Sequence, residues 1–114
     1  MLKFYTKDPA GLLQKFKAKL KAKQGQDSIQ TWEQVGENFG HTSERWKGKL
    51  ALKATINADA TEPNLTFTVA SMAKGTQEEQ QIFYAYYHGH LLQTFVDHLG
   101  EHFSAARYAD TRGK

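Results

Sequence analysis

The residues best suited to chemistry in this chain are its histidines. Four of the five, His88, His90, His98 and His102, fall within one C-terminal stretch, and His41 stands apart. His98 and His102 are four positions apart, which is one turn of a helix. Two imidazoles so placed can converge on a zinc or nickel ion, with Asp97 and Glu101 beside them. Two ligands are not a site, however, and a third must come from elsewhere. The plainer reading is that these are interface or half-buried histidines with ordinary hydrogen bonds. Tyr84, Tyr86 and Tyr87, in YAYYHGH, divide the same way between a ligand pocket and packing.

The chain has no cysteine, which excludes disulfides, iron–sulfur clusters, thiolate metal sites and cysteine nucleophiles. There is no phosphate-cradling glycine loop, nucleophile elbow or HExxH. No cofactor is expected. A histidine-based, metal-dependent enzyme stays as one alternative, resting on His98 and His102.

Charge supplies the second alternative. Residues 1–24 hold seven lysines and one acid, net +6; residues 25–114 hold eight basic and eleven acidic residues, net −3. Lys15, Lys17, Lys19, Lys21 and Lys23 alternate with apolar residues in KFKAKLKAK. They could meet phosphates without sequence preference, as in a nucleic-acid-associated accessory protein, or an acidic protein. Arginine, the commoner base reader, occurs only at positions 45, 107 and 112. A solvated lysine rim is the ordinary reading.

These residues must be held by elements that the patterning predicts. Asp8-Pro9 is a helix start, aspartate capping free N–H groups and proline fitting the first turn. Leu12, Leu13, Phe16 and Leu20 form one apolar arc, so Pro9 to about Gln24 reads as a helix despite the alternation. Leu2 to Thr6 could be a short strand before it. Ile29–Val35, Gly36-Glu37-Asn38 and Phe39-Gly40-His41 read as a hairpin, with Trp46 dropping into the core after it. Lys49–Ile56 and Leu65–Ser71 alternate as strands, leaving Ala51, Lys53, Thr55, Thr66 and Thr68 on an outer face.

Thr76-Gln77-Glu78-Glu79 is a capping box opening a long helix to about Tyr108. That helix carries two apolar seams. Ile82, Ala85, Gly89, Leu92, Val96, Leu99 and Phe103 form the first, assigned to the core. Tyr84, His88, Leu91, Phe95, His98 and His102 form the second, assigned to a two-fold subunit interface. With histidines in that seam, the dimer is expected to weaken between about pH 6.5 and 5.

The expectation is therefore one α+β domain over residues 1–108 with a flexible tail at 109–114. It comprises an N-terminal helix, a three- to four-stranded antiparallel meander and a long C-terminal helix, both helices on one face. The leading functional reading is a small non-catalytic interaction module, homodimeric. No membrane span is read, and the N-terminus MLKFYTKDPAG lacks the apolar core of a signal peptide, so the cytoplasm is the expected location.

Overall fold

The computed structural model describes residues 1–25 and 27–113. Its elements are β1 (Leu2–Tyr5), α1 (Pro9–Lys21), β2 (Trp32–Val35), β3 (Asn38–His41), β4 (Leu50–Asn57), β5 (Asn64–Met72), α2 (Gln77–Leu99) and β6 (Ala105–Tyr108), with a 3-10 turn at Gly100–His102. The class is α+β. The sheet has six strands, all antiparallel, in the order β2-β3-β4-β5-β1-β6. The expected meander of three or four strands is thus its middle and one flank. β1 is inserted beside β5, and β6 returns to pair with β1.

Local signals explain most boundaries. The Asp8 carboxylate accepts from the Gly11 N–H at 3.0 Å, and Pro9 opens α1. The helix ends at Lys21, not Gln24, and Ala22 is already extended. The Ile29 N–H then donates to the Lys19 carbonyl, tying the connection back to the helix. Gly36, with φ +63°, makes the tight β2–β3 turn. Thr76 and Glu79 exchange the two bonds of a capping box, at 2.9 and 3.1 Å, at the start of α2.

The long helix stops at Leu99, short of the expected Tyr108. Phe103 packs edge-on against Phe4, and the Ser104 N–H donates to the Tyr5 carbonyl. These contacts turn the chain so that Ala105–Tyr108 can satisfy the open edge of β1. Of the tail expected at 109–114, residues 109–112 lie against the chain's start, and position 114 is outside the described residues. The Ala109 carbonyl accepts from the Met1 ammonium at 2.7 Å, and Arg112 pairs with Asp110 and sits over the Tyr84 ring.

Both helices cover one face of the sheet. Phe16 of α1 and Phe95 of α2 both contact Phe67 of β5. Phe4 stacks on Phe95 with centroids 4.1 Å apart, and Phe39 closes the cluster. Further along, the Trp32 indole N–H donates to the Thr94 hydroxyl at 3.0 Å, pinning the hairpin to α2. Trp46 is only partly buried, stacked on Tyr86.

Over most of its length α2 turns the second seam inward, while Leu99, of the first, is buried as expected. Tyr84, Tyr87, His88, Leu91, Thr94, Phe95 and Leu99 face the sheet and are buried. Ile82 and Val96, expected inside, are 53% and 55% exposed. The sheet presents large rings at Phe4, Phe39 and Phe67, and the face with tyrosine, leucine and phenylalanine buries more apolar area against them than one built on Ala85 and Gly89. On the outer sheet face, Thr66 is buried rather than wet, hydrogen-bonded to Asn64 at 2.7 Å between its cross-strand neighbours Lys3 and Thr55.

Candidate functional site

The histidines do not converge on one point. His88 is buried; its Nδ1 lies 2.7 Å from the Tyr84 carbonyl, which can only accept. The ring proton therefore sits on Nδ1, and Nε2 accepts from the Met1 ammonium at 3.1 Å. Burial holds the His88 pKa down to about 4.

His41 and His90 form a pair that no sequence reading joined. The Ser43 N–H donates to His41 Nδ1 at 3.1 Å, so the proton of this ring is on Nε2. Nε2 then donates to His90 Nδ1, 2.7 Å away. Trp32 packs edge-on against His41, and Tyr86 packs against both rings. Burial, then the nearby His90, lowers His41 to about 4, and burial lowers His90 as well. The pair has a fixed polarity. It is poorly set for a metal, because a ligating imidazole donates through its other nitrogen, and here that nitrogen accepts.

His98 and His102, read as a metal pair, do not share a turn of α-helix. The one-turn spacing needs α-helix through both residues, and α2 ends between them. His98 turns to Asp27, with Nδ1 3.3 Å from Oδ1, and Lys19 pairs with the same carboxylate. Lys19 and His98 together hold the Asp27 carboxyl below its ordinary range. His102 is exposed. Both histidines border a shallow polar depression with Asp27, Asp97 and Glu101. Among the described residues, no three His, Cys, Asp or Glu side chains gather to hold a metal ion.

Four of the six residues read as a second-seam interface are packed inside the chain. Tyr84, His88, Leu91 and Phe95 are at most 2% exposed within one chain, so a partner cannot reach them. The lysines of α1 form two flanks rather than one face. Lys15 and Lys21 are exposed, Lys17 is half-buried, Lys19 is tied to Asp27, and Lys23 lies beyond the helix.

What the fold leaves open is the other face of α2. Ile82, Ala85, Gly89 and Val96 are exposed and Leu92 half-buried, at helical spacing along one side. Beside them, Leu2, Ala85, His88, Gly89, Leu92 and Tyr108 line an apolar groove of about 320 Å³ between the helix and the β1–β6 edge. A Cβ at Gly89 would meet no heavy atom within 4 Å. Nothing within the chain requires glycine there, although it costs about 1 kcal/mol against alanine in a helix. Sequence reasoning found these residues as a seam and put them on the wrong side; the small residues Ala85 and Gly89 were the signal.

No helix among the described residues is long and apolar enough to cross a membrane. Compared with protein-family models, curated proteins and solved structures, the chain matches none.

Proposed function

We propose that this protein is a small interaction module that works as a homodimer, with the outward face of α2 as its contact surface. The observation that carries the reading is the symmetry of the exposed stripe. Ile82 lies seven residues before Gly89 and Val96 seven after. In an isologous contact, each residue on one side of the axis meets its counterpart on the other. Two α2 helices crossing antiparallel at Gly89 would set Ile82 of one copy against Val96 of the other. Gly89 at the crossing lets the backbones approach closely, and Ala85 would face the turn of Leu92 and Gln93.

The area sets the strength. The stripe spans about 21 Å at 1.5 Å per residue. With the adjoining groove it reaches only the lower end of specific interfaces, about 1,000–1,200 Å² in total. The expected dimer is therefore micromolar rather than obligate. Sedimentation velocity from about 1 to 100 µM at pH 7.5 tests this. The natural protein should pass from monomer to dimer, and Val96→Asp should stay monomeric with its thermal unfolding nearly unchanged, because Val96 is exposed in the single chain. A monomer throughout that range would overturn the reading.

A further inference from the structure

The second open surface is the outer face of the sheet, which neither helix covers. Its residues follow from strand alternation and register. Lys3 of β1 stands opposite Arg107 of β6 on one side and Thr66 of β5 on the other. Lys53 of β4 stands opposite Thr68, two positions further along β5. No ion pair holds Lys3, Lys53 or Arg107 among the described residues. The carboxylate this face carries is Glu33, on the edge strand β2 and 3.8 Å from Lys47; Glu62 borders the opposite end, near Tyr5.

Like charges directly opposite each other in a sheet are destabilising. A charge on an edge strand has an ordinary use, keeping other strands away, and that accounts for Arg107. It does not account for Lys3, which lies on an interior strand. From Lys3 to Lys53 is two strands across and two residues along, about 12 Å. The three cations thus mark a diagonal track paved with threonine.

We infer that this face binds single-stranded nucleic acid, with Lys3, Lys53 and Arg107 holding phosphates and Tyr5 offering its ring to a base. Tyr5 is on the same face, half-buried, and its cross-strand neighbour Ala105 is too small to cover it. A base stacks on such a ring without regard to sequence. A single strand can lie flat on a sheet and present both phosphates and bases; a duplex keeps its bases stacked out of reach of Tyr5. An anionic membrane is the poorer fit, because Val35 is the large apolar side chain this face exposes and membrane-surface binding needs an apolar face to insert. The lysines of α1 belong to the opposite layer and cannot share the track.

Fluorescence anisotropy with a labelled 20-mer of oligo(dT), from about 20 mM salt upward, is the test. Binding should weaken with salt at a log–log slope near −2, since three phosphates at −0.7 each are engaged on a single strand. Lys3→Gln with Lys53→Gln and Arg107→Gln should weaken binding at least tenfold at the lowest salt, and Tyr5→Ala several-fold. If the triple variant unfolds, Lys53→Gln alone, at an exposed position, should still lower affinity and flatten the slope. Lys15→Gln with Lys17→Gln and Lys21→Gln should stay within about threefold. No binding at 20 mM salt, loss of binding from the α1 variant but not the sheet variant, or binding to phosphatidylserine vesicles without binding to the oligonucleotide would each overturn the inference.

Discussion

Burial of His41 and His88 in their neutral forms makes the fold itself pH-sensitive. Both have folded pKa values near 4, and an unfolded histidine titrates near 6.5. Between those values the unfolded chain binds more protons than the folded one, so the stability these two histidines contribute falls as pH drops through that window and is level above about pH 7. Each histidine should cost on the order of 1 kcal/mol by about pH 5, allowing for partial solvent screening. Thermal unfolding followed from pH 8 to 4.5 should show this decline, with His41 and His88 not titrating by NMR above about pH 5. A flat profile would contradict the neutral, buried assignment. The sequence led instead to a pH-dependent interface, because it showed histidines in a seam but not which side the seam faced. The His41–His90 contact was also invisible, since 49 residues separate the partners and only the docking of the hairpin on α2 joins them. Phe95 shows the same lesson. Read as an interface residue, it sits at the centre of the phenylalanine cluster, fully buried. Phe95→Ala should cost about 3–5 kcal/mol in chemical denaturation and leave the proposed self-association of the folded fraction intact. A loss under 1 kcal/mol would mean the cluster is packed otherwise.

The elements were legible wherever a local signal marks an end. Asp8-Pro9 and Thr76–Glu79 start their helices as their capping chemistry dictates. The alternation in Lys49–Ile56 and Leu65–Ser71 marked the central strands, observed at Leu50–Asn57 and Asn64–Met72. What failed was what depends on distant partners. β6 follows a helical pattern that runs on through Gly100, the C-cap of α2, and becomes a strand because β1 offers an unpaired edge. In α2 both seams have helical spacing, so periodicity could not choose between them; the aromatic sheet face did. That choice leaves Ile82, Gly89 and Val96 outside, and Val96→Asp separates the two roles. It should abolish the proposed dimer while leaving the fold in place, whereas a charge at Phe95 would remove both.

The whole molecule is a two-layer plate with helices on one side and bare sheet on the other, each layer presenting one open surface. The helix layer offers an apolar stripe symmetric about Gly89; the sheet layer offers cations without carboxylates between them. Dimerisation through α2 would point both sheet faces outward, so the proposed nucleic-acid surface would stay accessible and be doubled. The absence of cysteine allows the arrangement to be read directly. Ile82→Cys and Val96→Cys, prepared separately and mixed under mild oxidation, should yield a disulfide-linked dimer containing one of each. Ile82→Cys alone should not cross-link, since two copies of that position would lie about 21 Å apart along antiparallel helices. Cross-linking of Ile82→Cys with itself, or none between the two variants under conditions where sedimentation shows a dimer, would contradict the antiparallel crossing at Gly89.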